Sequence, residues 1–534
     1  MLFHTWPFAI FLLVVLPVFF ALRKTRLWLP WLTAASYFFY GWWNPYYLVL
    51  VVYSTLLDYG LVALMDHCPR GSGEGGGESG GLRLRGLKDR VLRGTFVGAC
   101  LVIALIVGIL IWGAKSLQPT LIGGGGLVVL MALGALLGSR KIWLLVSLVN
   151  NLALLLFFKY AVFVVENLNG FLSTLKMGMH LAEPASLMPA GFDYLLPVGI
   201  SFFTFQSLSY TIDFYYGNVH RERSLLRFAT FVCFFPQLMA GPIERARHLL
   251  PQFNAFPRPR LKNFTDGLSL FLVGLFKKLA LANYLSMYVE RVYDHPDTSS
   301  ASALVWGTVA FAWQIFFDFS GYTDMARGVA RLLGFELILN FNNPYLASSL
   351  GEFWSRWHIG LSSWFRDYVY IPLGGNRGGA ARTLRNLLLT FLISGIWHGA
   401  AWTFLIWGTL HGVGVIVMRE LERSRIYREK VPRLVKQLAV FAFVTFTWIF
   451  FRAETLSDAL LIIRRIGTAS WGAANIPGLM LLLILSVWIY AFVYESRFRG
   501  LLKSGVIRVG LAVAMVLYLC LCASGGGAFI YFQF

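Results

Sequence analysis

Trp397-His398-Gly399 places an imidazole inside an almost uncharged apolar run, Leu387 to Val417. An ionisable side chain at membrane depth is expensive, which makes it a functional-site candidate by default. Apolar surroundings penalise the charged form of an imidazole, and the neutral form is a base. Within hydrogen-bond reach of a bound hydroxyl it can take the proton as the oxygen attacks an activated carbonyl. Gly395 and Gly399 permit close approach of a helix or a substrate, and Trp397 and Trp402 offer walls for an acyl-sized slot. The same residues also suit a histidine whose bonds are satisfied between helices.

His358 lies upstream in Phe353-Trp354-Ser355-Arg356-Trp357-His358-Ile359-Gly360-Leu361-Ser362, where aromatic, cationic and imidazole groups crowd together. Leu350 to Trp364 reads as one amphipathic or interfacial helix, in which aromatics and Arg are anchors. Catalysis and anchoring are therefore both open for His358. Arg366 to Arg377 ends in a Gly-Gly-Asn turn without Walker or GxGxxG spacing, and it reads as a turn that shapes the site. Other chemistries lack their signatures. There is no GxSxG elbow, HExxH or CxxC, and Cys68, Cys100, Cys233, Cys520 and Cys522 show no metal-ligand spacing. No metal site is expected. Asp58, Asp213, Asp318 and Asp324 lie in or beside apolar runs, where acids can relay protons or bind cations, so a cation- or proton-coupled transporter is the alternative of another class.

These residues must be positioned by membrane helices. Hydrophobic residues make up 57% of the 534 and charged residues 13%, against about a quarter charged in soluble domains. The formal net charge of +20 sits largely in short loops, where Lys and Arg set orientation and meet anionic lipid; nucleic-acid binding is not expected. Arg23, Lys24 and Arg26 follow the first apolar stretch, which predicts an uncleaved first span with its N-terminus outside.

Apolar runs long enough to cross the bilayer occur at Phe8–Leu22, Leu27–Trp43, Tyr46–Leu64, Thr95–Trp112, Leu121–Leu137 and Ile142–Val164. They resume at Leu268–Tyr284, Ala303–Phe317, Leu387–Ile396, Ala401–Met418, Leu438–Phe451, Leu479–Val493 and Val506–Cys522. Arg140-Lys141 reads as cytoplasmic loop charge. Between Val165 and Leu268 the prolines and short Phe-rich stretches predict re-entrant or tilted segments around Phe192–Phe205 and Phe228–Ile243. The fold class is an all-α polytopic integral membrane protein with about 11 to 13 spans. Three regions follow: N-terminal helices over 1–164 with a flexible Gly-rich cytoplasmic loop near 69–93, a core over 165–418, and a basic loop with C-terminal helices over 419–534.

Six motifs, in order, resemble the membrane-bound O-acyltransferases. They are Phe235-Pro236-Gln237-Leu238-Met239-Ala240-Gly241-Pro242-Ile243, Phe319-Ser320-Gly321-Tyr322-Thr323-Asp324-Met325-Ala326, Asn340-Phe341-Asn342-Asn343-Pro344-Tyr345, Phe353–Ser362, Arg366–Arg377 and Gly395–Gly399. Ala35–Pro45 and Asp58-Tyr59 resemble the bacterial alginate O-acetyltransferase branch. The resemblance implies tilted helices around a central funnel or tunnel in the bacterial inner membrane. His398 would be the catalytic base and His358 the second motif histidine, with Trp397, Asn342, Arg356, Tyr322 and Asp324 lining or shaping the path. It further implies no bound cofactor, acetyl-CoA or another acyl thioester as donor, and periplasmic acetyltransferase partners that act on an exopolysaccharide. A carrier-protein thioester used on teichoic acid or lipid is the alternative within the same chemistry.

Overall fold

The computed structural model describes residues 1–68, 139–188, 193–257 and 260–522, and among them every regular element is helical. Backbone polar groups in lipid find no water, so an apolar segment must satisfy them internally, which a helix does residue by residue. The apolar runs accordingly become α1 (Trp6–Leu22), α2 (Trp28–Gly41), α3 (Leu48–Asp66) and α4 (Arg140–Thr174), and the stretches expected as re-entrant or tilted contribute α5 (Ile200–Tyr216), a continuous helix, and α6 (Leu225–Cys233). They continue as α7 (Leu261–Tyr293), α8 (Ala301–Leu332), the short α9 (Leu350–Arg356) and α10 (Ile359–Phe365), and α11 (Ala380–His398). The last are α12 (Trp402–Arg423), α13 (Arg433–Arg452), α14 (Leu456–Thr468), α15 (Gly478–Glu495) and α16 (Gly505–Cys522). Seven of the described helices are long and apolar enough to cross a membrane, and two shorter apolar helices accompany them. The runs at Thr95–Trp112 and Leu121–Leu137 lie outside the described residues, as does the Gly-rich stretch.

Two compact units divide the chain: Met1 with Leu12–Met239 and Ile243–Pro257, and Leu2–Phe11 with Ala240–Pro242 and Arg258–Phe534. In the first, Asp58 of α3 is fully buried and accepts hydrogen bonds from Ser147 Oγ at 2.7 Å and Asn151 Nδ2 at 3.0 Å, both on α4. Arg140 corrects its reading as a loop charge. It is the first residue of α4, buried, and its guanidinium donates to the carbonyls of Met65 and Phe214 at 3.1 and 3.2 Å. Those carbonyls lie in the last turns of α3 and α5, the helix ends that favour a cation. After α6 the helix breaks at Phe234 and resumes for Phe235–Leu238, all buried, with Pro236 in the first turn, where its missing N–H costs no helical hydrogen bond.

The second unit is organised on the antiparallel pair α7 and α8. Gly267 and Gly274 lie seven residues apart and therefore share a face of α7, as Gly321 and Gly328 do on α8. A Cβ on Gly274 would sit 2.5 Å from the Gly321 carbonyl oxygen, and one on Gly267 2.8 Å from that of Gly328. Only hydrogen at these positions lets the backbones meet, the small-residue packing on which lipid-embedded helices depend. Between these contacts and the end of α7, Lys277–Ala282 is wound as a π segment. There Lys277 Nζ meets Asp324 at 2.7 Å and Lys278 Nζ meets Asp318 at 2.5 Å. Each acid of α8 thus has its cation on α7.

Candidate active site

All of the site residues lie in the second unit. Leu350 to Trp364, expected as one helix, is two short helices with a break at Trp357-His358. The cause is tertiary: the returning loop before α9 competes for the backbone. Ile359 N–H donates to the Asn340 carbonyl at 2.9 Å, Gly360 N–H to Asn340 Oδ1 at 3.1 Å, and Asn342 N–H to the Arg356 carbonyl at 2.9 Å. His358 is left at the N-cap of α10 with φ +43°. A non-glycine residue in the left-handed region costs on the order of 1–3 kcal/mol and persists where surrounding structure over-determines it, often at functional sites.

The His358 side chain is fully buried. Its Nδ1 lies 3.1 Å from Asn340 Oδ1. Phe319 meets the ring edge-on at 4.7 Å between centroids, and Phe341 and Trp397 complete the enclosure at 6.3 and 6.4 Å. Burial pushes its pKa down to about 3, so the ring is neutral at physiological pH.

His398 is the last residue of α11, which ends because Gly399 turns to extended backbone. The tight turn into α12 depends on glycine. A Cβ on Gly395 would overlap the Phe404 carbonyl oxygen and stand 3.1 Å from Gly408 Cα, and a Cβ on Gly399 would overlap the Phe404 ring. The glycines around His398 therefore serve helix approach. With α11 and α12 in contact, His398 is enclosed edge-on by Trp397 and Trp407, each at 4.9 Å, and by Phe451 at 5.2 Å, keeping 4% exposure. Trp397, itself buried, faces both imidazoles, and so joins residues forty positions apart in the chain into one aromatic site.

The remaining candidates separate. Arg356 forms ion pairs with Glu352 at 2.7 Å and with Glu495, and its guanidinium donates to the Asn342 carbonyl at 3.4 Å. That makes it a clamp on α9, the preceding loop and α15. Asn342 is exposed, whereas Asn340, two residues earlier, is buried against His358. Asp324 is held by Lys277 and by Arg327 at 3.3 Å, and Tyr322 is buried and stacks on Phe3 at 4.7 Å. The Gly-Gly-Asn segment is a turn, with Gly374 and Gly375 at positive φ and Asn386 Nδ2 donating to the Gly375 carbonyl at 3.1 Å.

Two residues were missed by the sequence reading. Asn340 sits in a quoted motif, but its partner is eighteen positions away. His411 is a third fully buried imidazole, one helical turn from Trp407 at 4.8 Å; the Trp407–His411 spacing inside an apolar helix was the available signal. Thr447 Oγ1 donates to the Val444 carbonyl at 2.8 Å and so accepts from His411 Nε2–H at 2.9 Å, which ties α12 to α13. Among the described residues, no group of three or more metal-ligating side chains comes together.

The two buried imidazoles share an aromatic enclosure that excludes bulk water, and an imidazole in its neutral form can accept a proton from a hydroxyl. The model of the membrane-bound O-acyltransferase family matches residues 191–456. A protein of Azotobacter vinelandii named probable alginate O-acetylase is 43% identical over 61% of this chain and 63% of its own length, so the chain matches under two thirds of that relative. The peptidoglycan O-acetyltransferase of Helicobacter pylori is 33% identical over 81% of this chain and 72% of its own length. The teichoic acid D-alanyltransferase of Streptococcus thermophilus is 30% identical over 41% and 56%. The family match covers both imidazoles together with the elements that bury them, and the chain belongs to the membrane-bound O-acyltransferase family.

Proposed function

We propose that this chain is an O-acetyltransferase of the bacterial cytoplasmic membrane that takes acetyl from a cytosolic thioester, acetyl-CoA, and delivers it for O-acetylation of an exopolysaccharide of the alginate kind. The single observation that carries this reading is the aromatic enclosure in which Trp397 faces both His358 and His398. In the proposed reaction His398 takes the proton of the acceptor hydroxyl as its oxygen bonds to the thioester carbonyl carbon. The C–S bond then breaks, and the imidazolium passes that proton to the departing sulfur, which restores the neutral base. Ester and thiol are the products, and no resident cofactor or metal is required. His358 orients the substrates, and the path between the two compartments passes beside Trp397. Periplasmic acetyltransferase proteins are the proposed partners that complete transfer to the polymer.

The alginate-directed name of the Azotobacter relative and the peptidoglycan-directed name of the Helicobacter one support a glycan acceptor. The Streptococcus relative supports a second reading, in which a carrier-protein thioester is the donor for teichoic acid. Donor trapping separates the two. Purified protein in liposomes is given radiolabelled acetyl-CoA alone, or a phosphopantetheinylated carrier bearing the label. Release of free CoA with label on an oligosaccharide acceptor, without any carrier, is the expected result. Transfer that requires the carrier overturns the acetyl-CoA reading. A transporter built on Asp318 and Asp324 is disfavoured by the ion pairs that already occupy both carboxylates.

A further inference from the structure

Asn340 is 1% exposed, and its amide stands between the backbone of α10 and the imidazole of His358. Its orientation follows from its neighbours. Gly360 N–H can only donate, so the amide atom 3.1 Å away is the oxygen. That same oxygen faces His358 Nδ1 at 3.1 Å. Were Nδ1 bare, two lone pairs would point at each other; with a proton on Nδ1 the contact is a hydrogen bond. Leu361 N–H also points toward Nδ1, at 3.4 Å, beyond the usual N–H···O and N–H···N range and the weaker of the two. The oxygen therefore accepts twice. Asn340 Nδ2, buried with it, meets no hydrogen-bond acceptor among the described residues. A buried donor left without a partner costs about 1–3 kcal/mol, and such a group in a native site calls for an explanation.

Resting on the acyl-transfer reading of this site, we propose that Asn340 is a positioning residue that fixes His358 as the Nδ1–H tautomer, with Nε2 as its lone-pair atom, and that its Nδ2–H group receives an oxygen of the substrate. The oxygen is either the thioester carbonyl or the acceptor hydroxyl, since both present a lone pair to an N–H donor. This division of labour matches what second partners of functional histidines do generally: one hydrogen bond sets which ring nitrogen is basic. The rings of Phe319, Phe341 and Trp397 also face the imidazole. On the elements carrying those rings, Asp318 is paired with Lys278, and His398 is the titratable neighbour across Trp397. On α9, which leads into His358, Arg356 is paired with Glu352.

The test measures kcat and KM for labelled acetyl transfer from acetyl-CoA between pH 5 and 9, in liposomes, for wild type, Asn340→Ala, Asn340→Asp and His358→Ala. Thermal midpoints are taken for all four proteins. Asn340→Ala is expected to lower kcat about 10- to 100-fold. Asn340→Asp retains both acceptor contacts and hence the fold, but removes the Nδ2–H donor and places a carboxylate against the ring. It should raise the acid limb of the pH profile by about 1 unit or more and lower the plateau rate. An unmoved acid limb in Asn340→Asp, or a wild-type kcat in Asn340→Ala, overturns the proposal even where His358→Ala is inactive. Full activity of His358→Ala overturns both the proposal and the use of His358 in acyl transfer, which distinguishes the two failures.

Discussion

Gly395→Ala is the most informative small perturbation, because it adds one methyl group where two helices touch and three residues before His398. The added Cβ would overlap the Phe404 carbonyl oxygen and lie 3.1 Å from Gly408 Cα. Carbon contacts settle near 3.5–4.0 Å, so α11 and α12 must part by about 1 Å. Overpacking of this size costs roughly 1–3 kcal/mol. The catalytic consequence should exceed the thermodynamic one, since a shift of about 1 Å in a reacting group can cost on the order of a hundredfold in rate. The assay is acetyl transfer in liposomes together with the thermal midpoint in one detergent. Gly170→Ala is the control. Gly170 is an exposed residue within α4 with nothing near its absent side chain, where alanine should be neutral or stabilise by about 0.5–1 kcal/mol. If Gly395→Ala matches the control in both rate and midpoint, the close helix approach is not what positions His398, and the reasoning fails.

Lys278 and Asp318 form a salt bridge with side chains only 4% and 2% exposed. Replacing Lys278 by Met should cost about 3–5 kcal/mol by stranding a buried charge, while the double replacement with Asp318→Leu should recover most of it; a double variant no more stable than the single one contradicts this. Stability should also depend on pH through His358. Burial lowers its folded-state pKa from the ordinary 6.5 to about 3. Below pH 6.5 the unfolded chain therefore binds a proton that the folded chain refuses. Stability is constant above that pH and falls as the pH drops from 6.5 toward 3, by up to about 1.4 kcal/mol per pH unit. Thermal midpoints between pH 7.5 and 4.5 should show a flatter decline for His358→Asn; identical slopes would contradict the assignment.

The positions of the helices were legible because lipid leaves the backbone few choices, and each apolar run that falls among the described residues became a helix. The burial of His398 was legible for a related reason: an imidazole in so apolar a segment stands out from its neighbours. What could not be read were the effects of tertiary return. Nothing in the run from Leu350 to Trp364 announces a break, because the groups that cause it belong to Asn340 and arrive from the preceding loop. Arg140 looked like loop charge because its acceptors, the carbonyls of Met65 and Phe214, belong to helix ends more than seventy residues away. Asn342 was named as a candidate, whereas Asn340, two residues earlier in the same motif, is the asparagine that the fold turns inward. The partnership of His411 with Thr447 likewise depends on α12 meeting α13.

The account rests on His398 as the base that handles the acceptor hydroxyl. Purified wild type and His398→Ala, matched for folding by thermal midpoint and size-exclusion profile, should be given labelled acetyl-CoA and an oligosaccharide acceptor in the same liposomes. Transfer by the wild type with a loss of about a hundredfold or more in the variant is the predicted result; equal transfer of label by the two proteins would contradict it.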